Sequence, residues 1–127
     1  MATVTVTADN FEATVGKGIV LIDFWASWCG PCRMFAPIFE AASTRHADVV
    51  FAKVDTEANP ELAAEFGISA IPTLMILRDG VLLAAQPGAL PGGALDKVID
   101  QVRALDMDQV RREIAAQAPA RAAAGAP

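Results

Sequence analysis

The sequence predicts an α/β domain: a central mixed sheet of about five strands, helices on both faces, and an extra helix at the C-terminus. Three observations predict it. Apolar runs of strand length alternate with segments at helical spacing, in the order β-α-β-α-β-α-β-β-α. The run Ile19 to Trp25 is apolar on both of its faces apart from Asp23, as a strand covered by two layers must be. With 127 residues the chain can bury one substantial core, and right-handed crossovers then distribute helices to both sides of the sheet.

Taken in order, Thr3 to Thr7 alternates Val with Thr, the period-2 pattern of a half-exposed edge strand. Asp9, with Glu12 three residues on, reads as a capping box opening a short helix whose inner face carries Phe11 and Val15; Gly16 and Gly18 end it. Ile19 to Trp25 is the first long buried strand, and Ala26-Ser27 turns the chain into the next helix. That helix should run from Cys29 to about His46, kinked at Pro37, with Met34, Phe35, Ile38, Phe39 and Ala42 packed on the sheet. Asp48 to Val54 is the next strand, apolar apart from Lys53. Asn59 and Pro60 read as N-cap and first residue of a short helix with Leu62 and Phe66 inward and Gly67 as its stop.

Thr73 to Leu77 and Val81 to Ala85 read as a hairpin around Asp79-Gly80, a type I′ turn signal. Gln86 to Ala89 reads as a loop. Leu95, Val98, Ile99, Val102 and Leu105 make an amphipathic helix. The apolar register breaks there. Asp106 with Gln109 starts a new capping box, with Leu105 and Val110 as its hydrophobic staple. We therefore expect a domain over residues 1–105 and an extension over 106–127: a short helix from Met107 to Gln117, then a mobile Ala/Pro/Gly-rich tail.

A net charge of −5 argues against nucleic acid as a main partner, because phosphate binding needs a basic face. No apolar run approaches the roughly 20 residues needed to span a bilayer, so no membrane association is expected. The N-terminal residues read as a strand rather than a signal peptide. The two cysteines of the chain, Cys29 and Cys32, sit two residues apart. Without a secretion signal this spacing points to a reducing cytoplasm and to redox chemistry.

Cys29 should stand where a strand hands over to a helix N-terminus, where free N–H groups and the helix dipole favour a thiolate. Pro31 suits a first helical turn, and Gly30 lets a partner backbone approach the sulfur. Half of a zinc site is the competing reading, but zinc wants four ligands and the chain offers two thiols and a distant His46. Two inert buried thiols fit poorly with Gly-Pro between them. The chemistry expected is disulfide exchange, with Cys29 the exposed nucleophile and the more buried Cys32 resolving the mixed disulfide.

Asp23 lies inside a run too apolar for a solvated face. An unpaired buried carboxylate is costly, so its proton affinity should rise, which suits proton transfer to and from Cys32. Lys53 is its natural electrostatic partner, against a plainer reading as a lysine snorkelling off a strand. Trp25 reads equally well as core. His46 reads as a partner for the C-terminal end of its helix dipole.

Trp28-Cys29-Gly30-Pro31-Cys32, with Asp23, Pro37 and Ile71-Pro72-Thr73, resembles the thioredoxin family over roughly residues 3–105. That resemblance implies a thioredoxin fold and a general protein-disulfide reductase, catalytic at Cys29, Cys32, Asp23 and Lys53. It implies a cis proline at Pro72 beside the cysteines and an apolar docking patch of Trp28, Gly30, Pro31, Ile71, Pro72, Gly88 and Ala89, with the Ile71 backbone free to pair with an extended substrate. No bound cofactor is implied; electrons would come from NADPH through thioredoxin reductase, and a monomer would act on disulfide-containing proteins. Four residues depart from the family's commonest pattern: Arg33 for Lys, Ala70 for Gly, Pro87 for a branched apolar residue, and Pro91 for a polar cap. They bear on the shape of the patch. A disulfide oxidase or isomerase would use the same fold and pair, but usually with His between the cysteines and an export signal. A binding module with incidental redox activity is the third reading.

Overall fold

A computed structural model describes residues 2–125, with side chains as far as residue 117. Five strands form one sheet in the order β1-β3-β2-β4-β5. They are β1 (Thr3–Thr5), β2 (Ile19–Trp25), β3 (Val50–Asp55), β4 (Thr73–Arg78) and β5 (Val81–Pro87). β2 lies at the centre, parallel to β3 and antiparallel to β4, which explains why it is apolar on both faces. β1 is an edge strand, paired in parallel with β3, the half-exposed edge position expected from its Val/Thr alternation.

The period of two along β2 separates two cores. Ile19 and Leu21 face helices α2 (Gly30–Arg45) and α4 (Gly92–Arg103), packing with Phe35, Phe39, Leu95 and Ile99. Val20, Ile22 and Phe24 face α1 (Phe11–Val15) and α3 (Pro60–Glu65), packing with Val15, Leu62 and Phe66. Asp23 continues the Ile19-Leu21 side, and Lys53 is its register partner on β3. Both therefore point toward the layer that contains α2.

Several local expectations are corrected. β1 stops at Thr5, and Val6 turns fully inside while its N–H still donates to the Lys53 carbonyl. α1 is flanked by Asn10, not Asp9. The Asn10 side chain accepts from Thr7 N–H and donates to the Thr5 carbonyl, so it serves the turn rather than a cap. Asn59 likewise precedes α3 without capping it through its side chain, which donates instead to the Asp55 carbonyl. Met34 is 72% exposed, because the inward face of α2 follows Cys32, Phe35, Phe39 and Ala42 and Met34 falls on the opposite side. Gln86 and Pro87, expected in a loop, pair with Leu74 and Thr73 at the end of β5.

Other expectations stand. Asp79 and Gly80 both have positive φ, +53° and +79°, the signature of the expected hairpin turn. Pro37 lies inside α2. Asp106 caps the last helix, α5 (Met107–Gly125), its Oδ1 accepting from the N–H groups of Asp108 and Gln109. α5 continues past the Gln117 expected as its end. The tail mobility expected from Ala118 onward lies outside the residues whose side chains are described. Met107 is buried, and the Arg78 guanidinium reaches from β4 to the carbonyls of Val102, Arg103 and Leu105, so the start of α5 is tied to the end of α4.

Candidate active site

The site is built where β2 ends and α2 begins. Cys29 is the N-cap of α2, and its Sγ accepts from the Cys32 N–H at 3.2 Å. Its φ of −86° and ψ of 115° are the extended values that suit a cap residue. Pro31 occupies the first turn, where a missing N–H is harmless. The short Gly-Pro link holds the two Cα atoms 5.2 Å apart, and the cysteines form a disulfide. The expectation of an exposed Cys29 is corrected: Cys29 is 4% and Cys32 3% exposed, because Ala26, Trp25 and Ile71 pack around them.

The loop before β4 closes the site from the other side. Ile71-Pro72 is a cis peptide, and the Ile71 carbonyl oxygen lies 3.6 Å from Cys29 Sγ. Gly88, with φ of +98°, donates its N–H to the Pro72 carbonyl at 2.8 Å. A side chain at this positive φ would be strained, which accounts for the glycine. Trp28, Pro31, Gly88 and Ala89 are exposed, Gly30 and Ile71 are half-buried, and Pro72 is buried. Trp28 is 66% exposed yet anchored, its indole N–H donating to the Glu57 carboxylate. Sequence reasoning missed Glu57, 29 residues away in the loop that Asp55 organises. No local pattern links the two residues.

Within β2, on the side of the sheet that carries α2, Asp23 is fully buried, and neither carboxyl oxygen has a hydrogen-bond partner among the described residues. Burial pushes its carboxyl up to about 6, and the Lys53 charge pulls the other way without prevailing. Lys53 does not close an ion pair with it. Its Nζ lies over the Trp25 ring, 5.1 Å from the centroid. Trp25, Lys53, Cys32 and Arg33 line a cavity of about 110 Å³ that reaches Cys32. Arg33 is held at its rim by donating to the Ser27 carbonyl at 2.8 Å.

His46 stands apart from this chemistry. It ends α2, where its Nε2 lies 2.8 Å from Asp96 Oδ1 and its Nδ1 3.2 Å from Arg103, bridging α2 to α4. That contact and Arg45 hold the Asp96 carboxyl below its usual range. Among the described residues, no group of three or more His, Cys, Asp or Glu side chains is placed to hold a metal ion. No helix there is long and apolar enough to cross a membrane.

Comparison with known proteins agrees with this geometry. The family model described as Thioredoxin matches residues 2–101. A Streptomyces coelicolor protein named "Putative thioredoxin 2" is 59% identical over 117 residues, spanning 91% of this chain and 87% of that protein. A match of that length necessarily reaches into α5. Bacillus subtilis thioredoxin is 39% identical over 102 residues, 80% of this chain and 98% of that one. The crystal structure of Malassezia sympodialis thioredoxin (Mala s 13) superposes with a TM-score of 0.71 at 36% identity, covering 78% of this chain and 89% of the other. A strand-to-helix junction carrying a buried cysteine pair, the Ile71 carbonyl against it and these relatives lead to one conclusion: the chain belongs to the thioredoxin family and is a protein-disulfide oxidoreductase that works by dithiol–disulfide exchange.

Proposed function

We propose that the protein is a general reductant of protein disulfides in the cytoplasm, recycled by an NADPH-dependent thioredoxin reductase and acting as a monomer. The observation that carries this reading is the placement of the Cys29 Sγ as the cap of α2 against the Ile71 carbonyl. In the reduced protein, the Cys29 thiolate attacks one sulfur of the substrate disulfide. A Cys29–substrate bond forms and the first substrate thiolate leaves, taking a proton. Cys32 then gives up its proton and attacks Cys29 Sγ. The second substrate thiol is released, and the Cys29–Cys32 disulfide holds the two-electron oxidation.

Asp23 serves as the base for the Cys32 proton in this scheme. A carboxyl raised to about 6 is poised to exchange protons near neutral pH, which an ordinary surface Asp is not. Lys53 moderates that affinity. Trp28, Gly30, Pro31, Ile71, Pro72, Gly88 and Ala89 form the docking patch, with the Ile71 backbone pairing to an extended substrate segment. Residues 106–127 are an extension outside this machinery.

The test is reduction of insulin disulfides with NADPH and a bacterial thioredoxin reductase. NADPH consumption that depends on both proteins, and on both cysteines, supports the reading. A reduced protein that leaves insulin intact overturns it.

A further inference from the structure

Lys53 and Asp23 occupy paired positions on neighbouring parallel strands and lie on the same face of the sheet. Such a pair is placed for an ion pair in a site that water reaches poorly. None forms. Asp23 has no hydrogen-bond partner among the described residues, while the Lys53 ammonium rests over the ring of Trp25. Trp25 is two residues beyond Asp23 on β2 and therefore projects to the same side. Three side chains thus lie on one face of the sheet, and the cation, close enough to act on the Asp23 carboxyl, has two competing places to go.

We propose that Trp25 is a positioning residue: its ring face holds the Lys53 ammonium away from the Asp23 carboxyl and so governs how strongly that acid keeps its proton. An indole face attracts a cation more strongly than any other side-chain ring, and the attraction grows where water is excluded. The other groups around the space do not replace Lys53. Arg33, from α2, is committed to the Ser27 carbonyl. Cys32, also from α2, is in the disulfide. Asp55, beside Trp25 in the β2–β3 register, accepts from the N–H groups of Glu57 and Ala58. β4 contributes Leu74, an apolar neighbour, opposite Asp23.

The inference deepens the acid role assigned to Asp23 and rests on it. It is tested on the oxidised full-length protein, in which the cysteines do not titrate, by following the Asp23 carboxyl carbon by NMR against pH. Trp25→Leu frees the ammonium, so the Asp23 midpoint falls by about half a pH unit or more. Trp25→Phe, with a weaker ring face and a safer fit, moves it in the same direction by less. In a Lys53→Met background neither substitution moves it. A midpoint that stays or rises with Lys53 present, or that falls equally in the Lys53→Met background, overturns the proposal. The acid role fails separately: an Asp23→Asn protein that reduces insulin with an unchanged pH profile removes it, whatever the titrations show.

Discussion

The Sγ of Cys29 accepts a hydrogen bond from the Cys32 N–H at 3.2 Å, so the residue that caps α2 is also the one placed to react. The capping donor is supplied by the other member of the redox pair. Once the disulfide is reduced, that N–H and the end of the helix remain aimed at the Cys29 sulfur. Alkylation of the reduced protein at pH 7 is expected at Cys29 first. Cys32→Ser should accumulate mixed disulfides through Cys29, and Cys29→Ser should accumulate none. Mass spectrometry of the trapped species decides, and equal labelling of both thiols would contradict the assignment.

Asp23 makes stability depend on pH with a definite sign. Its carboxyl is raised from 3.8 to about 6 on folding. Below about pH 3 it is protonated in both states and adds no pH dependence. As pH rises from about 3 through the folded midpoint near 6 the unfolded chain ionises first, so stability is lost, and above about pH 7 the deficit levels off at about 3 kcal/mol. Asp23→Asn removes that dependence. Its stability relative to the parent should therefore rise by about 2.5 kcal/mol between pH 4 and pH 8 in denaturant titrations. A difference that does not change with pH would contradict the raised carboxyl.

Phe39 and Met34 test the inward face of α2. Phe39 is fully buried against Phe35 and Phe51, with ring centroids 5.6 and 5.0 Å apart. Phe39→Ala should cost about 3–5 kcal/mol. Met34→Ala should stay within about 0.5 kcal/mol, because the side chain is in solvent. Urea unfolding of the two variants makes the comparison.

Arg78 ties α4 to the start of α5 through three carbonyl oxygens. Arg78→Ala should cost about 1–3 kcal/mol, since a charged donor is lost from partly buried acceptors. Ending the chain at Leu105 also uncovers the site of Met107, and it should lower stability by a similar amount. Neither change reaches the cysteines, so insulin reduction by the folded variants should keep its parent rate. A truncated protein that folds but has lost activity would place the extension inside the catalytic machinery.

Much of the fold was legible because its signals are local. The spacing of Phe35, Phe39 and Ala42 marks a helix face, Asp79-Gly80 marks a tight hairpin, and the all-apolar run around Asp23 marks a central strand. The local signals failed where two readings were chemically equivalent. Asp9 and Asn10 are both good caps, and the chain used Asn10 for a turn. Met34 and Phe35 are both apolar neighbours, and only the direction in which α2 meets the sheet separates them.

By itself, then, the sequence determined the order of elements, the cysteine pair at a helix start and an acid buried in the strand before it. These follow from composition and spacing within a few turns of chain. Tertiary structure alone decided that Glu57 anchors Trp28 and that Lys53 turns to Trp25 instead of Asp23, and it set the Ile71 carbonyl, which the family resemblance had put near the cysteines, 3.6 Å from the Cys29 sulfur. The physical reason is that such contacts depend on strand register and on competition for a cation where water is scarce. Neither leaves a periodic trace in the chain.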